Sequence, residues 1–113
     1  MKISIFALAA ALVVTAAPAT ARDGDPFTLE VVNGTTAEVT GMWIRLSNGG
    51  WGENWIRTPL PTPGYRTLRF RSTDTRCEVR VRVNFSDGDV FEENVDVCSI
   101  DGLLFENDGI KPY

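Results

Sequence analysis

Six stretches of this chain either alternate apolar and polar residues or run in branched apolar ones, and turn signals separate them. Phe27-Thr28-Leu29-Glu30-Val31 has a period of two, the mark of a half-buried strand. Asn33-Gly34-Thr35 turns the chain. Val39 to Leu46 carries Met42, Trp43 and Ile44, and Ser47-Asn48-Gly49-Gly50 stops it. Trp51-Gly52-Glu53-Asn54-Trp55 reads as a loop or a single helical turn. Pro59, Pro61 and Pro63 exclude a regular helix after it. Tyr65 to Arg71 sets Leu68 and Phe70 on one face and Arg69 and Arg71 on the other. Val79–Phe85 and Val90–Val97 flank Asp87-Gly88, and Leu103-Leu104-Phe105 is a short last strand. Short strands between frequent turns predict an all-β fold, a small single-domain antiparallel β-sandwich or, alternatively, a small barrel.

Cys77 and Cys98 bracket the Asp87-Gly88 hairpin, and they are the only two cysteines. Asp-Gly is a strong hairpin signal. The two cysteines are equally far from the turn, so one disulfide is predicted. Closing a loop of this length contributes roughly 3 kcal/mol, mainly by restricting the unfolded chain. A two-residue turn at Asp87-Gly88 would pair Phe85 with Val90 and Cys77 with Cys98. That register also sets Val79, Val81 and Val83 opposite Asp96, Asn94 and Glu92, and sends Val95 and Val97 to the other face. One buried face cannot tolerate such a slip. A longer turn or a bulge would repair it, and Glu92-Glu93-Asn94 is the expected site of the extra residue.

The start of the chain bears on compartment. Lys2, the apolar run Ile3–Ala17 and the small-x-small site Ala19-Thr20-Ala21 describe a secretory signal peptide over residues 1–21. The run is shorter than the roughly 20 residues that span a bilayer. The β-sandwich domain is then expected over 22–113, exported to the periplasm or beyond, with no membrane segment after cleavage. An oxidising compartment suits the disulfide. Without the leader, 10 basic and 15 acidic side chains remain. That acidic balance argues against nucleic acid as a partner.

Candidate chemistry is sparse. There is no histidine, which removes Ser-His-Asp and Cys-His catalysis and histidine-ligated zinc. The disulfide consumes both thiols, so a non-enzyme is expected. Asp87, Asp89, Glu92, Glu93 and Asp96 lie close together, but on a hairpin and its solvent face. Asp87 and Asp89 are candidate calcium ligands, although no oxygen-rich loop here has EF-hand spacing. Arg69, Arg71, Arg80 and Arg82 would share one outer face if their strands were neighbours. Three tryptophans, Trp43, Trp51 and Trp55, fall within thirteen positions, and at least one is expected in the core. Asn33-Gly34-Thr35 and Asn84-Phe85-Ser86 match the glycosylation acceptor pattern and read as chance matches in a chain with a short, Ala-rich leader.

The order Asn-x-Thr after the first strand, Trp51-Gly52-Glu53-Asn54, Pro63-Gly64, Leu68-x-Phe70, Cys77, Phe85-x-Asp87-Gly88 and Val97-Cys98 resembles a group of small exported bacterial two-cysteine β proteins of unassigned function. The resemblance covers roughly residues 27–105. It implies a secreted β-sandwich and names no ligand.

Two large aromatics in a glycine-rich loop suit a contact surface. The expected function is therefore a non-enzymatic exported binding module for a protein or an envelope carbohydrate, contacting it through Trp51, Glu53, Asn54 and Trp55. A calcium-dependent module is the alternative, and an inhibitor of a wall-degrading enzyme is another form of the same binding role.

Overall fold

The computed structural model describes residues 26–71 and 76–113; the leader expected over 1–21 lies outside them. Seven strands follow in order: β1 (Phe27–Asn33), β2 (Val39–Ile44), β3 (Gly64–Phe70), β4 (Glu78–Phe85), β5 (Val90–Asp96), β6 (Gly102–Glu106) and β7 (Gly109–Pro112). They form a β-sandwich with one sheet ordered β3-β1-β6-β7 and another ordered β2-β4-β5. All pairings are antiparallel except β1 with β6. No helix among the described residues is long and apolar enough to cross a membrane.

The sheets face each other through the residues that alternation singled out. Leu29, Val31, Leu68, Phe70, Leu103 and Phe105 come from the four-stranded sheet. Met42, Ile44, Val79, Val81, Val83, Phe85 and Val95 answer from the three-stranded one. Phe85 and Phe105 meet edge to face across the interior, with centroids 6.2 Å apart. Each such buried side chain contributes about 1.5–3 kcal/mol of transfer free energy. Ile56 and Leu60, from the β2–β3 connection, close the core on one side.

The β4–β5 register corrects one expectation. The hairpin loop has three residues, Ser86-Asp87-Gly88, not two. Phe85 N–H donates to the Asp89 carbonyl at 2.9 Å, and Gly88 takes a φ of +94° that a side chain would resist. The extra turn residue shifts the ladder by one, so Val79 faces Val95 and Val83 faces Phe91. Val95 and Val97 then join the valines of β4 in the core. The repair sits at the turn, and the ladder runs unbroken through Glu92-Glu93-Asn94. Glu93 falls opposite buried Val81 yet stays exposed on this edge strand. A charge at such a position discourages edge-to-edge pairing.

Cys77 and Cys98 are disulfide-bonded, with Cα atoms 5.0 Å apart. The bond joins Cys77 to the residue after its ladder neighbour, since Val97 N–H donates to the Cys77 carbonyl at 2.8 Å. Such a bond is compatible with an oxidising compartment.

β7 was not expected. Asn107-Asp108 is the two-residue turn of a β6–β7 hairpin, with Glu106 paired to Gly109. Gly-Ile-Lys-Pro offers one buried apolar residue, Ile110, and ends in a proline. Pro112 is tolerated because β7 is an edge strand.

Candidate functional site

A bulge in β2 builds the site. Val39 pairs with Phe85 and Gly41 with Asn84, so Thr40 is an extra residue in the ladder. A regular strand would point Val39 and Met42 to opposite faces. The bulge lets Val39, Met42 and Ile44 all turn inward, each buried. Trp43 and Arg45 are consequently turned to the outer face. The Trp43 ring lies over Gly41, where any Cβ would collide with it. None of the three tryptophans is fully buried, contrary to the expectation that one would be core.

The loop after β2 runs back along its free edge and replaces a strand. Val39 and Leu60 exchange both backbone hydrogen bonds. Trp55 N–H donates to the Met42 carbonyl at 2.8 Å, and Gly52 N–H to the Ile44 carbonyl at 3.0 Å. Asn54 does what a strand backbone would do. Its Oδ1 accepts from the N–H groups of Met42 and Ile56, at 3.0 and 2.9 Å, and its Nδ2 donates to the Thr40 carbonyl. This accounts for glycine and asparagine in Trp51-Gly52-Glu53-Asn54. A Cβ at Gly52 would lie 3.3 Å from the Leu46 side chain, tighter than ordinary contact.

Anchored in this way, the loop lays Trp51 beside Arg45 and against the outer face of β2 and β4. The guanidinium carbons of Arg45 and Arg82 lie 4.6 and 4.7 Å from the Trp51 ring centre. Each such contact is worth about 0.5–1 kcal/mol at an exposed site. Glu92, directly opposite Arg82, holds the arginine row in place. Its carboxylate accepts from Arg80 Nε at 2.8 Å and from Arg82 Nε at 3.0 Å and Nη2 at 2.8 Å. Arg80 also donates to Asn94 at 3.0 Å. The hydrogen bonds from Arg80 and then Arg82 hold the Glu92 carboxyl below its ordinary value near 4.5. An acid held in its ionised form by two guanidiniums is a clamp and a poor proton donor.

The other candidates take different positions. Trp55 is half-buried and packs on Phe70, ring centres 4.2 Å apart, at the rim of the core. Glu53 is exposed and paired with Arg57. Of the four loop residues singled out, Trp51 alone is placed on the outer face with the arginines. Asp87 Oδ1 accepts the N–H of Asp89 at 3.0 Å, so one candidate calcium ligand serves the turn. Arg69 lies on β3, in the other sheet from Arg80 and Arg82, so the four arginines do not share a face.

Asn33 is fully buried: its Nδ2 donates to the Ala37 and Leu60 carbonyls and its Oδ1 accepts from Thr35. The Asn-x-Thr motif is thus a buried hub tying the β1–β2 turn to the edge-covering loop. Arg45 and Arg82 were not foreseen as partners of Trp51, nor Glu92 as the clamp on Arg82. The signal for Arg45 was the parity conflict in Val39–Ile44, where apolar residues occupy both alternating sets.

No family model matches the chain, and no curated protein matches it. A solved structure, determined by NMR for a protein from Eubacterium rectale, is similar with a TM-score of 0.56 and 14% identity. The match covers 82% of this chain and 92% of that one. At that identity the likeness bears on the fold alone.

Proposed function

We propose that the protein is a non-enzymatic binding module, exported to the periplasm or beyond, and that its contact surface is the outer face of β2 and β4 around Trp51. The observation that carries this reading is the Arg45–Trp51–Arg82 cluster. A large aromatic and two guanidiniums are held on an open sheet face, away from the core, and these residue types dominate recognition surfaces. Glu92 fixes Arg82 of this cluster, and Arg80 beside it, in advance, which lowers the ordering cost of binding. The group of exported two-cysteine proteins that the motifs resemble agrees with the compartment.

The test uses wild-type protein, Trp51→Ala and Arg82→Ala, immobilised and exposed to solubilised envelope protein and to envelope glycans. The expected result is a component retained by wild type and lost by both variants, with both variants still folded at the assay temperature. Equal retention by all three removes the reading.

A further inference from the structure

Arg45, Arg76 and Arg80 line a cleft of about 320 Å³ beside the Trp51 cluster, with Ser47 and Glu78 also in its wall. That volume lies at the lower end of small-ligand sites. Arg80 is engaged by Glu92 and Asn94. Among the described residues, Arg45 donates only to the Gly49 carbonyl, at 3.2 Å. Arg76 has no hydrogen bond or ion pair with any described residue, and Glu78 has no ion pair among them. Three arginines and one glutamate thus line a cleft in a chain whose net charge is −4, and Arg45 and Arg76 are the two not already paired with a carboxylate among the described residues. Such forks match the planar geometry of a carboxylate.

Arg45 belongs both to this cleft and to the Trp51 cluster. The pair of sites therefore sets, side by side, anchors for an anion and the half-buried Trp51 indole. An acidic polysaccharide carries both complements on rigid, neighbouring rings: a carboxylate for the forks and a C–H face for the indole. An acidic peptide presents its carboxylates on flexible stems and brings nothing flat for Trp51. We infer that the cleft takes the carboxylate of a uronate in an acidic polysaccharide, with Trp51 against an adjoining sugar ring. This rests on the outer face being the contact surface and names the chemistry it takes.

The test is an NMR titration of the ¹⁵N-labelled protein with hexagalacturonate and hexamannuronate. Neutral maltohexaose and hexaglutamate are the comparisons. The expected result is saturable shifts at Arg45, Arg76 and the Trp51 indole N–H for at least one uronate. Arg76→Ser should weaken that affinity about tenfold, as loss of one charge-assisted pair would. Arg69→Ser, on the other sheet, should leave it unchanged, and maltohexaose should not bind.

Equal weakening by Arg69→Ser would mean diffuse charge attraction and overturn the inference. Hexaglutamate binding as tightly as the uronates would overturn the sugar. Absence of binding to either uronate would overturn it outright. If Trp51→Ala still abolishes envelope retention in that event, the contact surface stands and only its uronate chemistry fails.

Discussion

The side-chain carbonyl of Asn54 accepts the backbone N–H of Met42 at 3.0 Å, where a neighbouring strand would otherwise supply the acceptor. The same oxygen takes the Ile56 N–H. One side chain therefore seals the edge of β2 and fixes the loop that carries Trp51. Asn54→Ala leaves both N–H groups without this partner, at a cost of about 1–3 kcal/mol for each that water cannot reach. Urea denaturation should show a loss of about 2–4 kcal/mol. A loss below about 0.5 kcal/mol would mean that Asn54 is not the edge partner described.

Trp51 and Trp55 should separate in stability. Trp55 packs on Phe70 at the core rim, and its truncation should cost about 2–3 kcal/mol, somewhat less than a fully buried aromatic. Trp51→Ala loses two exposed cation–π contacts and should cost about 1–2 kcal/mol at most. Thermal or urea unfolding of the two variants checks this, and equal losses would place Trp51 in the core.

Glu92 gives a pH dependence of defined sign. Its folded-state pKa is lowered, so its contribution is present above the unfolded value and is lost as pH falls through the folded one. Glu92→Gln should therefore be less stable than wild type near pH 7. The gap should close as pH falls from about 5 towards the folded value below the usual 4.5. A gap that stays constant across that range would show that the clamp is not ionic.

Tyr113 is pinned to the four-stranded sheet. Its N–H donates to the Gly102 carbonyl, its own carbonyl accepts from Asp101, and its hydroxyl donates to Glu30 Oε1 at 2.6 Å. Desolvation and then this bond to Glu30 push its ionisation up to about 12. Ultraviolet titration should show a phenolate step near pH 12 that Tyr113→Phe removes. If the step survives the substitution, Tyr113 is not the shifted group. Neutral Tyr113 stabilises the fold below about pH 10, and that contribution is lost as pH rises towards 12.

Six of the seven strands were legible because alternation marks most of them: Leu29 and Val31, Leu68 and Phe70, and Val79, Val81, Val83 and Phe85 all face inward. The disulfide was legible from spacing about Asp87-Gly88. The register was half legible: the valine parity argued against a two-residue turn and allowed a longer turn or a bulge, and the one extra turn residue, Ser86, decides between them. The site was half legible. Trp51 stood out by its glycine-rich loop, but its partners come from β2 and β4, and the Thr40 bulge that turns Trp43 and Arg45 outward is a property of the pairing. Asn54 read as a contact residue because an exposed-looking asparagine in a loop gives no sign of the strand edge it will cover.

The most direct test of the Trp51 face is photo-crosslinking in the intact cell envelope, with benzoylphenylalanine replacing Trp51 in one version of the chain and Thr67 in another. Thr67 is exposed on β3, in the opposite sheet. The predicted result is a discrete protein or glycan adduct from position 51 and none from position 67. Adducts of equal yield from both positions, or from position 67 alone, would contradict the assignment of the contact surface to the Arg45–Trp51–Arg82 face.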